Sequence, residues 1–233
     1  MSTIAHNLQD VAQQIVSAAQ EAGRAPAAVQ LLAVSKTFGP EAVLEAAAAG
    51  QRAFGENYLQ EGVDKIRAVA EALPGTPLEW HFIGPIQTNK TRPIAEHFAW
   101  VHTVERLKIA QRLSEQRPAG LAPLNICLQV NISGEASKSG VTPADLPALA
   151  RAVAGLPNLT LRGLMAIPEP ETDFARQRAA FAQLRVLFEQ LRAEGFALDT
   201  LSMGMSADLR AAVCEGATIV RVGSAIFGAR HYA

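Results

Sequence analysis

Lys36 closes the run Leu31-Leu32-Ala33-Val34-Ser35-Lys36, in which Ser35 is the only other polar residue. An ammonium at the end of so apolar a segment loses hydration. Its charged form is then disfavoured, and the neutral amine is a nucleophile toward carbonyl carbon. A solvated lysine whose stem lies along apolar surface suits the same position, so Lys36 alone leaves both readings open. Two late segments carry a different chemistry. Ser202-Met203-Gly204-Met205-Ser206-Ala207-Asp208 and Arg221-Val222-Gly223-Ser224-Ala225-Ile226 each place small residues and a hydroxyl where a strand pattern gives way to a helical one. Backbone N–H groups and the helix dipole at such a start favour an anion. Ser206 and Ser224 are each also ordinary N-cap residues. Their joint occurrence favours a phosphate site, and an amine that can form a Schiff base beside a phosphate cradle suits an aldehyde phosphate.

The elements that must bring these residues together follow from periodicity. Strand-like runs occur at 31–36, 52–56, 79–84, 100–104, 124–132, 161–167, 198–203 and 218–223. Helical patterns fill the intervals, at 41–49, 59–73, 89–97, 105–116, 144–154, 174–194 and 207–215. An extra amphipathic helix at 4–22, marked by Ile4, Leu8, Val11 and Ile15 and closed by Gly23 and Pro26, precedes them. Strands apolar on both faces that alternate with helices predict parallel βαβ units, and eight such units close a (β/α)8 barrel of the TIM type. An open doubly wound sheet is the alternative, but no Gly-x-Gly-x-x-Gly follows the first strand. In a barrel, sites form at the carboxyl ends of the strands, with phosphate favoured after strands seven and eight. Lys36, Ser206 and Ser224 fall at those ends. No linker or repeat divides the chain, so one domain over 1–233 is expected.

Composition narrows the function. The 233 residues are 49% hydrophobic and 18% charged, with a formal net charge of −1. That excludes a disordered chain and a strongly basic nucleic-acid surface. Cys127 and Cys214 have no metal-type spacing and read as buried thiols of a reducing compartment. The first residues lack a basic and apolar leader, and no apolar stretch is long enough to span a bilayer, so a cytoplasmic protein is expected.

Several ordered motifs then carry a resemblance: L-A-V-S-K-T at 32–37, F-G-E-N-Y at 54–58, W-H-F-I-G-P-I-Q-T-N-K at 80–90, and S-M-G-M-S-A-D-L through V-R-V-G-S-A-I-F-G-A-R at 202–230. Together they resemble the pyridoxal phosphate homeostasis proteins, the YggS/PROSC type. The resemblance implies a barrel like the N-terminal domain of alanine racemase and pyridoxal 5′-phosphate held as a Schiff base on Lys36. It further implies that Ser206, Gly223 and Ser224 hold the phosphate, that Arg221 faces the pyridine nitrogen, and that Asn57 and Met203 lie near the ring. An arginine only donates hydrogen bonds; it leaves that nitrogen unprotonated and weakens the ring as an electron sink.

A carrier that stores and supplies the cofactor, possessing no turnover of its own, is therefore expected over two alternatives. One is a racemase-like enzyme; only Tyr58 and Tyr232 are available as a second base, and the chain ends soon after the eighth strand. The other is a cofactor-free aldolase barrel with a Schiff-base lysine. PLP-dependent apo-enzymes are the expected recipients, nucleic acid and membrane are not expected partners, and a monomer or weak homodimer is expected. Phe38 stands where many relatives carry another lysine, so a handover of cofactor through that second amine is not expected, and the tail A-R-H-Y-A lacks the lysine cluster on which a second, non-covalent cofactor site would depend. His81 reads as a hydrogen-bonded core residue more than a proton shuttle. Lys90 reads as either a second ammonium near the mouth or a solvated side chain, and Glu56 as either a helix-dipole partner or a base.

Overall fold

Eight parallel strands close into a barrel in strict sequence order, β1 to β8, with β1 paired to both β2 and β8. The strands of this computed structural model, which describes residues 2–134 and 139–229, are Gln30–Val34 (β1), Ala53–Glu56 (β2), Glu79–Phe82 (β3), Trp100–Val104 (β4), Leu124–Gln129 (β5), Leu159–Met165 (β6), Thr200–Ser202 (β7) and Ile219–Val222 (β8). Tyr232 and most of the short tail lie outside the described residues. The register sets Ala33 beside Val222 on one side and Val34 beside Gly55 on the other. The carboxyl ends of the first, second and eighth strands thus meet at one mouth.

Nine helices are described: Thr3–Glu21 (α1), Pro40–Ala48 (α2), Leu59–Ala72 (α3), Thr91–His97 (α4), Leu107–Gln116 (α5), Leu146–Ala154 (α6), Phe174–Ala193 (α7), Leu209–Cys214 (α8) and Ser224–Phe227 (α9). One α-helix follows each strand, and α1 is the predicted extra element. Ser2 caps it by accepting from Ala5 N. Its buried stripe of Leu8, Val11 and Ile15 packs against the barrel's last helices. Asn7 Nδ2 donates to Ile226 O at 2.8 Å, and the Arg24 guanidinium to Val213 O at 2.8 Å, which ties the amino-terminal helix to α9 and α8. No helix among the described residues is long and apolar enough to cross a membrane.

Two cores result from strand alternation. The larger lies between barrel and helices, with Phe54, Phe82 and Phe181 fully buried in it. A small one fills the lumen, built from Leu32, Ala53, Trp100, Cys127, Met165 and Ile219. Above it the lumen turns polar, with His81, His102, Ser202 and Arg221 all buried.

Several predicted bounds shift. The fifth run continues past Gln129 only as a bridge from Val130 to Val141, and the sixth strand starts earlier, at Leu159, and ends at Met165, ahead of Pro168. The helix expected from 207 starts at Leu209, because Asp208 turns back to accept from Met205 N at 2.6 Å. Ser206 therefore lies in a turn before the helix and is not its N-cap. Ser224 is the first residue of α9 and Gly223 its cap. The 89–97 pattern divides into a 3-10 turn, Thr88–Lys90, and α4.

Candidate functional site at the barrel mouth

Lys36 stands two residues beyond Val34, on the lumen side by alternation with Leu32, and is half-buried. The chain that carries it is braced from below. Thr37, the next residue, adopts φ +69°, a left-handed conformation that a β-branched residue takes at a cost of about 1–3 kcal/mol unless its surroundings impose it. Its N–H donates to Glu61 Oε1 at 2.6 Å. Lys65 Nζ lies under the same turn and donates to Ser35 O at 2.8 Å, Glu56 Oε1 at 2.7 Å and Glu61 Oε1 at 2.9 Å, while Ser35 Oγ donates to Glu56 Oε1 at 2.6 Å. Glu56 is thus neither a dipole partner nor a base at the mouth. It is the buried counter-ion of Lys65 between β2 and α3, and burial pushes its carboxyl up in pKa.

On the neighbouring strand β8, in register with Leu32 of β1, Arg221 is 4% exposed. Its guanidinium donates to Ser202 Oγ at 2.7 Å and Ala166 O at 3.1 Å, both uncharged acceptors. Burial lowers its pKa to about 10, with the charge of Asp208 opposing that fall, so it remains a cation at neutral pH. Two residues on, Gly223 passes so close to β1 that a Cβ there would lie 3.1 Å from Val34 O. A glycine at this point lets the chain turn into α9 beside the strand that ends in Lys36, and Ser224 is exposed at the first turn, where N–H groups lack helical acceptors. Gly204, at φ +96°, performs the corresponding turn after β7, since a Cβ would lie 2.5 Å from Ala212 Cβ. Arg221 N donates to Gly204 O at 2.9 Å and joins the two loops.

The other expected residues divide. Asn57 follows β2 and is half-buried; its carbonyl is in contact with Gly84, a position where any Cβ would collide with it. Met203 is fully buried in the outer core, so only its main chain is offered to the mouth. Ser206 is exposed and borders a surface groove with Gln13, Ser17 and Arg210. Lys90 is exposed on a separate groove of about 560 Å³ between α3 and α4, which Asn57 also lines. Phe38 packs on Phe227 with ring centroids 5.3 Å apart, and joins the first loop to the last helix in place of a second amine. His102, which the sequence did not single out, accompanies His81 in the lumen at 2.8 Å. The thiol of Cys127 is pushed up to about 12 by burial, which makes it an inert core group.

An amine at the rim, a donor-only cation on the adjoining strand and a glycine turn that presents the Ser224 hydroxyl form a donor set that fits pyridoxal 5′-phosphate. The profile of the alanine racemase N-terminal domain matches residues 2–231. A pyridoxal phosphate homeostasis protein of Pseudomonas aeruginosa is 68% identical over 100% of this chain and 98% of its own length. The chain belongs to the pyridoxal phosphate homeostasis protein family. The member from Escherichia coli is 57% identical over 100% of this chain and 99% of its own. PipY of Synechococcus elongatus, solved with PLP bound, has 39% identity and a TM-score of 0.84, and covers 97% of this chain and 100% of its own. The (β/α)8 architecture expected from eight alternating units is therefore that of the family.

Proposed function

We propose that this protein holds pyridoxal 5′-phosphate at the barrel mouth and takes part in its homeostasis inside the cell, storing and supplying the cofactor with no turnover of its own. The Lys36 amine carries the aldehyde as a Schiff base, with loss of water. Ser206, the Gly223 turn and Ser224 take the phosphate, Arg221 faces the ring nitrogen, and Asn57 and the main chain of Met203 border the ring. When bound, the cofactor supplies an electrophilic aldehyde and an electron-accepting ring.

Arg221 is the observation that carries the carrier reading. It is buried, charged and a donor only, so a ring nitrogen facing it stays unprotonated and the ring is a weak electron sink. The names of the close relatives and the PLP-bound PipY support the ligand. A single cytosolic domain, a monomer or weak homodimer, with PLP-dependent apo-enzymes as recipients, completes the reading.

Addition of PLP to the purified protein should raise a visible absorption band that Lys36→Ala abolishes while far-ultraviolet circular dichroism is retained. The loaded protein should not racemise or transaminate amino acids, and should restore activity to an added PLP-dependent apo-enzyme. Steady turnover of an amino acid would overturn the carrier reading in favour of a racemase-like enzyme.

A further inference from the structure

The lumen of a TIM barrel is ordinarily packed by branched apolar side chains, and each polar group placed there needs a partner. Here five side chains from four strands form one continuous line. Arg221 Nη1 donates to Ser202 Oγ at 2.7 Å, and Ser202 Oγ lies 2.7 Å from His102 Nδ1. His102 Nε2 lies 2.8 Å from His81 Nδ1, and His81 Nε2 lies 2.9 Å from Glu79 Oε1. His81, His102 and Ser202 are wholly buried. Glu79 opens β3 at the amino end of the barrel, with 41% of its side chain exposed, and Gln30 at the start of β1 donates to it at 3.3 Å. The line therefore runs from the barrel floor to the cation beneath the mouth.

Its ends fix its direction. An arginine never accepts, so Ser202 accepts from it and has its own O–H to give to His102 Nδ1. His102 then carries its proton on Nε2 and donates to His81 Nδ1; His81 carries its proton on Nε2 and donates to the Glu79 carboxylate. The reverse order would point a histidine lone pair at a carboxylate. Burial keeps His81 below and His102 well below the ordinary imidazole range, and the bond from His81 holds Glu79 down at about 2, all consistent with two neutral rings between two charges. Trp100 stacks on His81 with ring centroids 5.3 Å apart and planes within 4°, which fixes the ring that must carry the order.

We propose that Glu79, His81, His102 and Ser202 are positioning residues, a one-way hydrogen-bond chain through the barrel core that orients the Arg221 guanidinium and makes the ring nitrogen above it respond to a carboxylate at the opposite end of the barrel. The cofactor clause rests on the preceding reading; the chain itself does not. The charged and titratable groups around the line are Asp208 and Cys127 near Arg221, and Arg162, which sits 4.7 Å over the Trp100 ring and is paired with Asp199.

Histidine ring nitrogen NMR on the cofactor-free protein tests the chain. Both rings should be neutral with the proton on Nε2 from about pH 8 to about pH 5, where an exposed imidazole would titrate. An Nδ1 proton on either ring, or a cation in that range, overturns the proposal. Coupling is then read from the pH midpoint of the visible band in the loaded protein. Glu79→Gln, which keeps an acceptor but removes the charge, should shift the midpoint and change PLP affinity by roughly twofold or more, and should do neither in a Ser202→Ala background; Ser202→Thr should restore the response. Equal shifts in both backgrounds, or none in either, overturn the coupling. A wild-type protein that develops no band contradicts the cofactor reading, while the ring-nitrogen result still decides the chain.

Discussion

Lys65 Nζ and Glu56 Oε1 lie 2.7 Å apart with side chains 2% and 0% exposed, directly under the turn that presents Lys36. The pair is structural, and its position makes it the brace of the site. It also sets the left-handed Thr37, because Glu61 takes both the Lys65 ammonium and the Thr37 N–H.

Removal of one partner leaves a buried charge without its counter-ion. Lys65→Met should lower the free energy of unfolding by about 3–5 kcal/mol, and adding Glu56→Gln to it should recover part of that loss. Urea unfolding of the single and double variants measures both; a single variant as stable as the wild type would refute the brace.

Acid should destabilise the fold through the two lumen histidines. Burial lowers both His81 and His102, so the unfolded chain takes up protons at both as pH falls through about 6.5 and the folded chain does so only at lower pH. Their contribution is complete above that pH and is lost below it. Unfolding midpoints recorded from about pH 8 to about pH 5 should fall, and a His102→Asn variant, less stable throughout, should show a shallower fall.

The phosphate hydroxyls should act together. Ser206→Ala or Ser224→Ala alone should weaken PLP retention by roughly tenfold, the scale of one hydrogen bond to a charged group, and the double variant should weaken it further. Equilibrium dialysis gives the ratios. Unchanged retention in the double variant would remove both residues from the site.

Gly84→Ala forces a methyl group into the Asn57 carbonyl. The loop after β2 must move, with a stability loss of roughly 1–3 kcal/mol and a larger proportional loss of cofactor affinity than of secondary structure. Fluorescence-monitored unfolding and a PLP titration on the same sample separate the two effects.

The barrel was legible because apolar runs with both faces buried, separated by helical periods, have few other solutions. The places of Lys36, Gly223 and Ser224 beyond strand ends and at a helix start are legible because such positions are marked by local residue types. The bounds near Ser206 were not, since Asp208 ends the turn through a side-chain bond to Met205 that composition does not reveal. Glu56 misleads because its partner Lys65 lies nine positions away on α3, and only the packing of that helix on β2 brings the two together. His102 carried no signal at all. In V-H-T-V it is one polar residue of a strand, and only the closed register brings it to His81 and Ser202.

On the proposed function, Lys36 is the covalent anchor of pyridoxal 5′-phosphate. Borohydride reduction of the PLP-treated protein, followed by peptide mass mapping, tests it most directly. A reduced pyridoxyl group on Lys36 is the expected result. A colourless protein that stays unlabelled, or a label that falls on Lys90 with Lys36 unmodified, would contradict it.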